Sequence, residues 1–112
     1  MLAELLNVPH TVHEWNRFSF HHRQSHVLIR QAIFAQSGLN LVDYLLDPIP
    51  LNNPKGFLEN NQQAHVDMDQ ALGSQSVNLL DVDLNDENEK TAWIYLHYLE
   101  HQTAEQILGI GS

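Results

Sequence analysis

The sequence predicts an all-α protein: a small bundle of three main helices, at about 12–37, 54–72 and 86–108, with short N-terminal and connecting helical segments. Apolar residues and histidines recur at steps of three and four along each stretch, the 3.6-residue period of a helix with one buried side. Each stretch begins beside a residue able to cap a helix start. Each ends at a glycine, Gly38, Gly73 or Gly109, the residue that most readily takes the left-handed turn closing a helix. At 112 residues the chain has the size of a single domain.

Residues 1–10 hold a short apolar turn, Leu2, Leu5, Leu6 and Val8, stopped by Pro9. Thr11 and Glu14 fit a capping box, in which each side chain takes the other residue's backbone N–H. The first helix then carries Trp15, Phe18, His22, Ser25, Ile29, Ala32 and Gln36 on one side. A second row, Phe20, Val27 and Phe34, lies nearly opposite. A helix apolar on two sides is sandwiched between neighbours or shared with another subunit. Trp15, Phe20, Val27 and Phe34 are therefore the interface candidates, the aromatic ones being anchors of the kind found at interface centres.

A short helix is expected over Asn40–Asp47, ended by Pro48, and then an extended connector through 48–54 with its three prolines. Asn53 and Pro54 form a helix entry, a capping residue followed by proline at the first helical position. The second main helix buries Phe57, Leu58, Asn61, Ala64, His65, Met68 and Leu72. Residues 74–86 read as a loop whose Leu79, Leu80, Val82 and Leu84 lie across the helices as a lid. Asp83 or Asn85 is expected to cap the third helix, and Asp86, Glu87 and Glu89 suit its positive end. Its inner side is Trp93, Ile94, His97, His101, Ala104 and Leu108.

The formal charge of −9 with five Lys and Arg argues against direct nucleic-acid binding, which needs cations to displace counterions, and against an anionic membrane surface. With no cysteine, disulfides and thiolate chemistry are excluded. No stretch approaches the length of a transmembrane helix, and the N-terminus lacks a signal-peptide pattern, so a product assembled in a cytosol is expected. There is no glycine-rich phosphate loop and no Gly-x-Ser-x-Gly elbow. Asp81-x-Asp83-x-Asn85 lacks the glycine and the closing glutamate of a calcium loop, having Asp86 and Ala92 there. The reading is of a non-enzyme.

The histidines carry the chemical signal. At 100° per residue, His22 and His26 stand about 40° apart on one side of a helix, as do His97 and His101, so each pair can grip one ion. His65 and Asp69 repeat the spacing on the second helix. If the three stripes share one core, His22, His26, His65, Asp69, His97 and His101 converge as metal ligands, with Glu100 able to add an oxygen. Imidazole with carboxylate suits zinc, iron or manganese rather than calcium or magnesium. The same residues would equally build a metal-free histidine network inside a thin core. His10, His13 and His21 fall off the seams and are expected in solvent.

The His97/His101 and His65/Asp69 pairs resemble those of hemerythrin-type histidine–carboxylate bundles, which hold a di-iron centre; those bundles use four long helices and offer no counterpart to His22/His26. Across Trp15–Gly109 the chain resembles a family of small tailed-phage proteins encoded among virion structural genes. Phe20–Arg23 with Ile29, Leu46–Pro50, Gln63–Met68, Leu72–Gly73, Leu80–Asp83, Trp93–His97, Glu100–His101 and Leu108–Gly109 carry the likeness. Asn60–Asn61 departs from it. That resemblance implies a structural or accessory component of a virion, assembled in the host cytoplasm, whose partners are other phage structural proteins or copies of itself. The metal-binding helical protein is the alternative.

Overall fold

In a computed structural model, which describes residues 2–45 and 50–110, the chain is all-α. A 3-10 turn at Leu2–Leu6 precedes α1 (Val12–Ser37), α2 (Pro54–Leu72) and α3 (Glu87–Leu108). No strand occurs among the described residues. At about 1.5 Å per residue α1 alone is about 39 Å long, and it sets the 38 Å long axis of the molecule.

The three helices run in the same direction. Trp15 and Phe18 of α1, Phe57 and Leu58 of α2, and Trp93 and Ile94 of α3 form one apolar cluster with Leu5 and Leu79. The later residues Ile29 and Ile33, Met68, and Ala104 and Leu108 form the other. Gln36 Nε2 donates to the Leu108 carbonyl at 3.0 Å, tying the two C-terminal ends together. Lys90 Nζ donates to the Pro9 carbonyl at 2.7 Å, tying the opposite ends. Parallel neighbours require connectors that travel back the length of the helix, which explains why both links are long.

The first connector has no helix over 40–45, where a short helix was expected over Asn40–Asp47; residues 46–47 lie outside the described residues. Leu41 packs against the second cluster while Leu45 is buried beside Arg23, whose guanidinium donates to the Leu45 carbonyl. Asp43 favours the same outcome, because its Oδ1 accepts the Leu45 N–H at 3.0 Å, a local bond that competes with helix. In the 48–54 link, residues 50–52 turn rather than run straight. The second connector holds the lid in part: Leu79 is buried, Val82 and Leu84 pack on the first cluster, and Leu80 is exposed.

The helix ends follow the sequence closely, with two corrections. Thr11 Oγ1 accepts the Glu14 N–H at 3.1 Å, but Glu14 reaches past Thr11 to the His10 N–H at 2.8 Å. Asn53 Oδ1 accepts the Gly56 N–H at 3.0 Å; a β-carbon at Gly56 would collide with that cap. Asp86, and neither Asp83 nor Asn85, caps α3, through Oδ1 to the Glu89 N–H at 3.0 Å. Asp83 is spent one turn earlier, accepting the Asn85 N–H at 2.9 Å. Asp86→Ala is expected to cost about 1 kcal/mol in a denaturant titration, and Asn85→Ala less than about 0.5 kcal/mol. Equal effects would reassign the cap.

Trp15 is a core residue at 7% exposure, not an interface anchor. It meets Phe18 edge-on at 5.6 Å, because the N-terminal turn folds over this end of the bundle. Phe20, Val27 and Phe34 are 57%, 37% and 57% exposed. Nothing among the described residues covers that row. No described helix is long and apolar enough to cross a membrane.

Candidate metal centre

Between the two apolar clusters lies a layer made of histidine. Its level follows from the helix starts. His22, His65 and His97 fall 10, 11 and 10 residues beyond Val12, Pro54 and Glu87 (22−12, 65−54, 97−87). At about 1.5 Å per residue all three sit at nearly one height in a parallel bundle. His26 and His101 follow one turn later on the same sides. One ring nitrogen from each of His22, His26, His65, His97 and His101 comes within 4.8 Å of all the others. His26 is 3% exposed and the other four 0%.

The rings are packed against one another. His22 lies 4.5 Å from both His26 and His97 between centroids. His65 lies 4.7 Å from His97 and 4.9 Å from His101. Trp93 floors the cluster, stacked on His97 at 4.6 Å with the planes 8° apart, and Phe18 stacks on His22 at 5.4 Å. Burial holds all five imidazoles well below their ordinary pKa, His65 at about 3. The other imidazoles press four of them in the same direction, since a second charge in the cluster would repel the first. They are neutral, the state in which imidazole binds metal.

Few of their nitrogens have partners. His22 Nε2 and His26 Nε2 share one hydrogen bond at 3.0 Å. Among the described residues His22 Nδ1, both nitrogens of His65, both of His97, and His101 Nε2 are buried with no hydrogen-bond partner. His101 Nδ1 is the exception, 2.7 Å from Ser25 Oγ, which donates to Glu105 Oε2 at 3.3 Å. The hydroxyl has one proton and gives it to Glu105, so His101 donates from Nδ1 and turns the Nε2 lone pair into the cluster. A carboxylate–hydroxyl–imidazole chain of this kind fixes the tautomer of a metal-binding histidine.

Two buried carboxyl groups border the rings. Glu100 is 6% and Asp69 2% exposed. Glu100 Oε1 is 3.9 Å from His65 Nδ1 and has no hydrogen-bond partner. Burial, and then the neighbouring Asp69, push the Glu100 carboxyl up to about 8. With His65 held neutral and the Glu100 carboxyl pushed toward its protonated form, the contact between them is not an ion pair. Asp69 is not one of the converging groups. One turn past His65 it stands at the level of His26 and His101, but its carboxyl stays outside the group of ring nitrogens, and its Oδ1 accepts the Ser74 hydroxyl at 3.0 Å. Ser25 and Glu105 were not singled out as site residues, although Glu105 lies four positions after His101 on the same side of α3 and Ser25 three after His22.

Of the histidines expected in solvent, His10 and His13 are exposed. His21 is half-buried, with its Nε2 4.0 Å from Glu4, because the N-terminal turn docks on α1. None of these three joins the cluster. The fold and site thus define a parallel three-helix protein with a buried five-histidine cluster. The chain matches no protein-family model, no curated protein and no solved structure.

The Ser25–Glu105 chain has a measurable consequence. For a transition metal held by the cluster, Ser25→Ala and Glu105→Gln would each be expected to weaken binding about 10–100-fold by releasing the His101 ring. Competition against a chelator of known affinity measures this. Unchanged affinity in both variants would show that the chain does not orient the ring.

Proposed function

We propose that this protein binds a transition-metal ion in its core, with His22, His26, His65, His97 and His101 supplying the ligands and the ion tying the three helices together. The observation that carries this reading is the set of six partnerless imidazole nitrogens inside a sealed cluster. Left so, each costs about 1–3 kcal/mol, a sum comparable to the whole net stability of a domain, about 5–15 kcal/mol. Lone pairs directed at a cation remove much of that cost. The Glu100 carboxyl beside the rings, on giving up its proton, and the Asp69 carboxyl next to it would balance a divalent ion in an apolar interior. Protein purified without chelators and analysed for metals is expected to carry about one equivalent of a transition metal per chain. Less than about a tenth of an equivalent, with none taken up on adding iron, zinc or manganese, would end the reading.

A second reading concerns the outer side of α1. Phe20, Val27 and Phe34, with Leu28 beside them at 38% exposure, form an apolar row that nothing among the described residues covers. Such a row supports packing against copies of itself or other structural proteins. The resemblance to tailed-phage proteins gives the setting, a virion assembled in the host cytoplasm. The metal-tied bundle would then be the rigid support for that row. Light scattering is expected to show self-association that Phe20→Ser/Phe34→Ser abolishes, or mass spectrometry to find the protein in purified particles. A monomer at all concentrations that is also absent from particles removes this role and leaves the metal reading untouched.

A further inference from the structure

Resting on the five-histidine metal reading, we infer that the centre holds a single ion in six-fold coordination, with Glu100 Oε1 as the sixth ligand, and that the ion is iron(II). The number of ions follows from size. Ligands about 2.1 Å from one centre can be at most about 4.2 Å apart, and the five nitrogens already lie within 4.8 Å of one another. A two-metal site separates its ions by about 3.5–4 Å and would push ligands on opposite ends to roughly twice that spread. Shifts of a few tenths of an ångström close five rings on one ion.

The sixth position follows from what faces it. Glu100 precedes His101 on α3, is 6% exposed, and has Oε1 partnerless at 3.9 Å from His65 Nδ1. It is the carboxyl placed against a ring of the cluster; Asp69 also has a buried oxygen without a partner, Oδ2, but its Oδ1 is held by Ser74 and it stands behind Glu100. Binding the ion displaces the proton from Glu100, and the carboxylate forms a bond to the metal. Asp69 stays behind it as the second countercharge. No oxidant or reductant is involved. Five imidazoles and one carboxylate make an octahedral set. Zinc is almost always four-coordinate and would leave two ligands idle, and manganese prefers oxygen ligands. Iron(II) accepts both the geometry and the imidazoles.

Cobalt(II) titration of the chelator-treated full chain tests this, because cobalt absorbs weakly when octahedral and intensely when tetrahedral. One cobalt per chain with weak visible bands is expected. Glu100→Gln is expected to lose about 10–100-fold in affinity and to strengthen the bands as the coordination number falls. Asp69→Asn should lower affinity without altering the spectrum. Far-UV circular dichroism establishes that each variant folds. No cobalt retained would overturn the five-histidine reading itself. Two cobalt ions per chain overturn the single ion, and intense tetrahedral bands overturn six-fold coordination. A Glu100→Gln variant that matches the parent in affinity and spectrum removes Glu100 while leaving five histidines in place. Zinc as the sole co-purifying metal, after anaerobic growth with iron present, overturns the choice of ion.

Discussion

Chelator-treated protein is expected to lose about 7 kcal/mol of folding stability between pH 7 and pH 5, and to unfold within that window. In the unfolded chain an imidazole titrates near 6.5. In the folded protein burial holds the five clustered rings far lower, His65 at about 3. Below pH 6.5 the unfolded state therefore binds more protons, and stability falls as pH drops. The full slope of about 1.4 kcal/mol per pH unit applies only below 6.5, so each of the five groups loses about 1.9 kcal/mol between pH 7 and 5, about 9 kcal/mol together. Glu100 opposes this. Its folded value of about 8 lies above the ordinary carboxyl range, so it takes up its proton on the folded side first and restores about 2–3 kcal/mol. The remainder is as large as the net stability of a typical domain. Metal-loaded protein should unfold at a lower pH, since protons must displace the ion before they charge the rings. Circular dichroism against pH, with and without iron, reads both midpoints. A chelated sample whose melting temperature is level from pH 7 to 5 would place the imidazoles in contact with water.

How far the sequence reaches can be seen at particular residues. Thr11, Asn53 and the three terminating glycines sit where local chemistry alone decides the backbone, and the helix bounds follow from them. The inner stripes were equally legible, because a 3.6-residue period states which side of each helix is buried. The convergence of His22, His26, His65, His97 and His101 needed one thing more, the relative direction of the helices. Steps of three and four are the same for parallel and antiparallel neighbours. Only the equal offsets of the histidines from the helix starts hint that the helices run together. Where tertiary contacts compete with local preference, the local rules fall short. The 41–45 segment gives up helix while Leu41 packs on the second cluster and the Leu45 carbonyl is held by Arg23, and Trp15 is claimed by a core that closes only when the 3-10 turn docks. Asp69 has the spacing of a ligand, but its carboxyl is turned to Ser74 and stays outside the ring nitrogens, a side-chain choice that spacing on one helix cannot reveal.

His97→Leu is the second large effect and separates a metal site from a histidine network made for packing. His97 is fully buried, and neither ring nitrogen has a hydrogen-bond partner. Removing those atoms in exchange for an aliphatic side chain of similar size eliminates two unmet hydrogen-bonding demands, about 1–3 kcal/mol each. Against this stands the loss of the stacked contact with Trp93, about 0.5–1.5 kcal/mol, and a modest misfit of shape. In the chelated protein the balance is a gain of about 2 kcal/mol. In the presence of saturating metal the order reverses. The parent gains about 4 kcal/mol from a ligand at a thousand times its Kd, while the variant, missing a central ligand, gains far less. If the imidazoles instead held the core together by hydrogen bonds among themselves, His97→Leu would destabilise the protein with or without metal. Paired denaturant curves of parent and variant, each with chelator and with iron, give four midpoints. Only a crossing of the two proteins between those conditions fits a core whose stability is borrowed from an ion.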